Sequence, residues 1–258
     1  MKHQIAFLIL ITFLCGCAAK TVLINEKYTG QQNTKKEMVI FPIIYDSLIV
    51  KNWDDVVDDF EVDSANYKSL VHDTLSTLLP HNSKSCTRNL VIKDGAGLFN
   101  WGNLRKDPDN YFTFKQRINE KYVADFQIPK KEYFDSSSVD NSYALLIKKI
   151  VIGRNIERQL SGGMYVPGPV ISTPGGTFQG PGTFGPGWSP ENLGAITEFI
   201  IWDYEKNDFV KCGQIITKEE FPFGMTTGTW LSLFRGIPRD LFDDTSLGIT
   251  TANYYQKK

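Results

Sequence analysis

Cysteine, histidine and clustered carboxylates are the side chains whose chemistry could amount to a function, and their spacing decides which chemistry. The chain holds four cysteines and three histidines. His72 and His81 stand in no metal-ligand spacing and beside no nucleophile motif. His72 lies between Val71 and Asp73 on an apolar-periodic stretch, where a solvated or hydrogen-bonded imidazole is expected. Asp54, Asp55, Asp58, Asp59, Glu61 and Asp63 crowd one segment, but a calcium loop wants alternating ligands and a glycine at its bend. This run reads as a solvated acidic face or loop. The chain contains no G-x-S-x-G elbow, no Walker loop, and no cysteine paired with a histidine in a signature context. Gly180, Gly182 and Gly185 match G-x-G-x-x-G, yet Pro181 and Pro186 interrupt the match and no helix follows to face a phosphate. A glycosidase pair is defined by separation in space, which sequence does not supply. The expectation is a protein that is not an enzyme and carries no cofactor and no metal.

Cys17 is the thiol with a chemical context. Lys2 and His3 make a short basic start, and Ile5 to Leu14 is an apolar run broken only by Thr12, too short for a permanent span. Leu14, Cys15, Gly16 and Cys17 then resemble the bacterial lipobox. The resemblance implies a signal peptide over residues 1–16, cleavage before Cys17, and a diacylglycerol thioether on its sulfur. Several acyl chains at about 0.8 kcal/mol per buried methylene make a durable anchor. Ala18 stands where an Asp would retain such a protein in the inner membrane, so the expected address is the outer membrane of a cell envelope.

Composition sets further bounds. Hydrophobic content of 41% and charged content of 22% are those of a globular chain. A net charge of −1 and the lack of a basic stripe argue against nucleic acid as a partner. After export, Cys86 and Cys212 either form one disulfide or stay as two buried free thiols.

Along the chain, residues 17–36 read as a polar tether, residues 37–245 as a single α/β domain, and residues 246–258 as a tail. The expected elements are a strand over Met38 to Tyr45, which Pro42 limits to an edge, bulge or strand end, and a helix capped by Ser64 and stopped at Pro80. A strand at Asn89 to Lys93 and a helix over Asn110 to Ala124 follow. Tyr143 to Ile152 reads as an interior strand, and Ala195 to Tyr204 with Phe209 to Ile216 as a hairpin. Trp230, Leu233, Phe234 and Ile237 line a last helix that Pro238 kinks or restarts. Residues 161–190 are so rich in Gly and Pro that an insertion loop without helix or sheet is expected. Tyr165, Phe178, Phe184 and Trp188 in that loop either fold back on the domain or face a partner.

This order of elements resembles the TolB amino-terminal-like domain of envelope lipoproteins. The strand Met38 to Ile44 with its following helix, the strand Tyr143 to Ile152, and Ile200, Ile201, Trp202, Asp203 and Tyr204 leading through a polar turn to Val210 carry the likeness. It implies an α/β fold, a small mixed sheet with packed helices and a long Gly/Pro-rich insertion loop, acting by docking other envelope proteins. A lipid-anchored interaction or assembly module is therefore expected, with the membrane and an envelope protein as partners. The alternative is a surface-exposed glycan or ligand binder that uses the loop aromatics.

Overall fold

A computed structural model of the chain describes residues 21–28, 36–95, 107–133, 142–155, 170–173, 176–179, 192–221 and 224–249. Its centre is a mixed sheet with the order β1(Val22–Ile24), β11(Asp208–Glu220), β10(Asn192–Asp203), β7(Ser142–Arg154), β2(Lys36–Ile40), β4(Leu90–Asp94). A seventh strand, β3(Leu48–Val50), continues along β7 beyond β2. The fold is α/β as expected. Three helices, α1(Trp53–Phe60), α2(Tyr67–Cys86) and α3(Thr227–Phe242), supply apolar residues to the core on one face of the sheet. A hairpin of β5(Tyr111–Arg117) and β6(Val123–Pro129) covers part of the other face.

The long strands formed where apolar runs were densest. All twelve residues of β10 are buried, since β7 and β11 flank it and both sheet faces are packed there. In β7 the register steps from Phe199 opposite Ile147 to Glu198 opposite Lys149, which makes Lys148 the extra residue of a bulge. Strict alternation would turn Ile150 and Ile152 away from the helices. The bulge keeps Ile147, Ile150 and Ile152 in the helical-face core and leaves both lysines exposed. Pro42 sits where β2 has ended and the backbone turns before β3, consistent with its missing N–H.

Several expectations are corrected. The helix expected over Asn110 to Ala124 is the β5–β6 hairpin: Phe112 and Phe114 alternate inward against Trp202, with ring centroids 5.2 and 5.7 Å from its ring. The Asn119 side chain, which accepts from the Lys121 and Tyr122 amides at 2.8 Å, makes the turn. Helix α2 begins at Tyr67 rather than at a Ser64 cap, and Asp63 holds the amides of Ala65 and Asn66 instead. It also runs through Pro80 to Cys86. Proline removes one backbone hydrogen bond, while buried Leu75, Leu79 and Ser83 continue the face on either side. Helix α3, opened by a capping box of Thr226 and Thr229, likewise continues through Pro238 to Phe242 as one element.

Domain boundaries shift outward at both ends. Part of the stretch expected as tether is built into the fold, because β1 pairs with β11 and Tyr28 is 1% exposed. Part of the expected tail is too: Leu247 is fully buried and Gly248 bridges to Thr87. Within residues 161–190, Val170–Thr173 and Gly176–Gln179 pair as β8 and β9, where no sheet was expected. Two β-branched residues, Val170 and Ile171, lead into a two-residue Pro-Gly connection, which is sufficient local chemistry for a short hairpin.

Candidate functional site

The β7 bulge builds the most polar part of the face opposite the helices. Lys148 Nζ stands 3.2 Å from Glu198 Oε1 and 5.8 Å from the centroid of the Phe126 ring. Glu198 is nearly buried although its partner is half exposed. Tyr122, on the turn of the β5–β6 hairpin, faces the same carboxylate. Burial, and after it the charge of Glu198, pushes the Tyr122 hydroxyl well above the ordinary tyrosine value.

Two clefts open beside this ion pair. One, of about 330 Å³, lies between the hairpin and the sheet and is lined by Ile44, Asp125, Gln127 and Lys148 among others. The other, of about 280 Å³, lies further along the face between Ile49, Lys51, Lys149, Ile196 and Gln214. The hairpin covers the half of the face that carries Val39, Phe41, Ile200, Trp202 and Cys212. On the remaining half Ile49 and Ile216 stay 39% and 37% exposed. The result is an apolar groove edged by lysines and bridged by one carboxylate. Among the described residues that line it, none is a nucleophile with an adjoining base.

Other polar clusters have structural work. Asp203 is fully buried and accepts from the Glu205 and Lys206 amides at 2.9 and 3.2 Å and from the Tyr28 hydroxyl at 3.0 Å, with Lys36 Nζ at 3.7 Å. This explains why an apolar strand ends in Asp before the polar turn. Lys36 also pairs with Glu205. His72 is hydrogen-bonded at both ring nitrogens, to the Ile43 carbonyl at 2.9 Å and to Asp73 at 3.0 Å. In the acidic segment, which is helical as far as Phe60, Asp59 accepts from Trp230 Nε1 at 2.8 Å and Asp55 lies 3.4 Å from Arg154. Among the described residues no group of three or more His, Cys, Asp or Glu is placed to hold a metal ion.

Of the residues singled out in the sequence, Cys86 and Cys212 lie among those the structure describes and are not brought together. Cys86 and Cys212 are free thiols. Cys86 packs with the helical-face core and Cys212 with the core beneath the hairpin, so the two lie on opposite faces of the sheet. Cys17, Tyr165, Phe184 and Trp188 lie outside the described residues; of Phe178 only its strand position, opposite Ile171, is described. Sequence reasoning missed Lys148, Lys149 and Glu198 as a site. The two adjacent lysines inside an otherwise apolar strand were its visible signal. No model of a known protein family matches the chain, and no curated protein matches it significantly.

Proposed function

We propose that the chain is a lipid-anchored module of the cell envelope, held by Cys17 in the outer membrane, that docks a partner protein in the groove beside Lys148 and Glu198 and catalyses no reaction. The observation that carries the docking half is the unequal covering of one sheet face. Where the β5–β6 hairpin lies, the face is a closed core; beyond it, Ile49 and Ile216 are exposed between Lys51, Lys149 and Lys218. Exposed aliphatic residues rimmed by charge mark interaction surfaces more often than chance exposure does. The anchoring half rests on the lipobox resemblance at Leu14 to Cys17.

The test is affinity isolation of the lipidated protein from envelope extract, with and without Ile49→Asp plus Ile216→Asp. Both positions are exposed, so the variant is expected to melt like the parent while losing a stoichiometric protein partner. Retention of that partner by a folded variant, or glycan recovered in its place, would count against the groove.

A further inference from the structure

Strand register gives the open part of the sheet face a pattern. Ile49 pairs with Val151, Val151 with Ile196, and Ile196 with Ile216, so four β-branched side chains stand abreast in one row across β3, β7, β10 and β11. Ile49 and Ile216 are exposed at its ends, and Ile196 makes a nearly buried floor between them. On the hairpin side the neighbouring row is Lys149, Glu198 and Gln214. On the other side Gly153 pairs with Gly194 and Gly194 with Lys218. Lys51 lies against Gly153, where an added Cβ would stand 3.1 Å from its own. Two glycines therefore lie between Lys51 and Lys218, and the cleft of about 280 Å³ opens over these rows.

Charge on this strip is unequal. Lys51, Lys149 and Lys218 are exposed around the aliphatic row. Of the described carboxylates on the same strip, Glu198 is nearly buried with Lys148 at 3.2 Å, and Glu220 stands at the end of β11 beyond Lys218. Glu219 alternates to the helical face. Asp54, Asp55 and Asp58 belong to α1, which packs on that other face, and Asp55 lies 3.4 Å from Arg154. A second copy of the chain would set lysines against lysines across the strip, so its complement is an apolar segment edged by carboxylates.

The direction of the row selects the kind of segment. Strands lie about 4.8 Å apart, so the four side chains span about 14 Å at right angles to the strands. A partner strand laid across them repeats its side chains at about 6.8 Å and soon falls out of step. A partner strand laid along β10 or β11 meets one aliphatic residue of the row, because Gly194 and Glu198 flank Ile196, and Gln214 and Lys218 flank Ile216. An α-helix advances about 5.4 Å per turn and presents i, i+4, i+7 and i+11 in one stripe, close to the spacing of the row. The turn of the β5–β6 hairpin, where Tyr122 faces Glu198, walls the strip on one side.

We infer that this strip receives an amphipathic α-helix of the partner protein, laid across the strands with its apolar stripe on Ile49, Val151, Ile196 and Ile216 and its acidic flanks toward Lys51, Lys149 and Lys218. The inference rests on protein docking at this groove and adds the chemistry and direction of what docks.

The probes are alanine-based peptides of about eighteen residues with leucine at i, i+4, i+7 and i+11. One carries glutamate on both flanks of the stripe, a second carries lysine there, and a third repeats the first with a central proline. Fluorescence anisotropy reads their binding to the full chain carrying Cys17→Ser, so that no acyl chain or detergent competes for the leucines. The glutamate peptide should bind about tenfold tighter than the other two, and Lys51→Glu, Lys149→Glu and Lys218→Glu together should invert the charge preference. Lys149→Glu alone should reduce that preference several-fold, which keeps the test decisive if the triple variant does not fold. Equal binding of the glutamate and lysine peptides overturns the inference, as does equal binding of the proline peptide or binding that survives Ile49→Asp with Ile216→Asp. A chain that dimerises through this strip without peptide assigns it to a second copy and overturns the inference too. If no peptide binds while the Ile49→Asp, Ile216→Asp variant still loses its envelope partner, the helix falls and docking stands; a partner retained by that variant overturns both.

Discussion

The hydroxyl of Tyr28 donates a 3.0 Å hydrogen bond to the carboxylate of Asp203, 175 residues later in the chain, in a site closed to water. The contact fastens the segment before β2 to the end of the β10–β11 hairpin. Burial first, and then the charge of Asp203, pushes the Tyr28 hydroxyl well above its ordinary value, so it remains a donor throughout the physiological range.

Tyr28→Phe removes one donor from a fully buried carboxylate while keeping the ring. A loss of about 1–3 kcal/mol is expected, the typical cost of leaving a buried polar group short of a partner. Urea unfolding of the two proteins measures it, and an unchanged midpoint would show that Lys36 and the turn amides suffice for Asp203.

Lys211 Nζ donates to the carbonyls of Asp240 and Asp243 at 3.0 and 2.8 Å, at the C-terminal end of α3. Burial lowers its pKa to about 8 against the opposing pull of Asp244, Asp243 and Asp240. Between that value and about 10.4 the unfolded chain binds the proton that the folded chain has released, so this residue's contribution to stability rises with pH across that window. The difference in unfolding free energy between the parent and Lys211→Met should carry this slope. A difference flat from pH 8 to 10 would contradict it.

Cys212 is fully buried, and burial pushes its thiol up to about 12, while Cys86 is partly exposed. Under native conditions a maleimide should modify Cys86 first and leave Cys212 untouched. Denaturation without reductant should release both for labelling. Failure of either to label in the unreduced, denatured chain would mean that a bridge has formed.

Pro80 lies inside α2 and cannot donate to the carbonyl one turn back. Pro80→Ala restores that donor and is expected to raise stability by about 1–3 kcal/mol. Thermal melts decide the sign; a less stable variant would show that the proline ring packs usefully where it stands.

Local pattern was enough to read β7, β10, β11 and α3 from the sequence, because each is a long apolar run whose period or density leaves one conformation. The polar turn between β10 and β11 was equally legible in Glu205, Lys206, Asn207 and Asp208. Only the tertiary structure decided the rest. Phe112 and Phe114 suit a helix or a strand, and the ring of Trp202, some ninety residues later, selects the strand. At three residues β1 is too short to declare itself and exists through pairing with β11. The candidate groove depends on the bulge at Lys148, a register choice set by the demand that Ile147 and Ile150 share one core. No local rule contains that demand, because it arises when β10 and the helices meet β7. The resemblance of Leu14 to Cys17 to a lipobox is the opposite case: it rests on the order of four residues alone and on no packing.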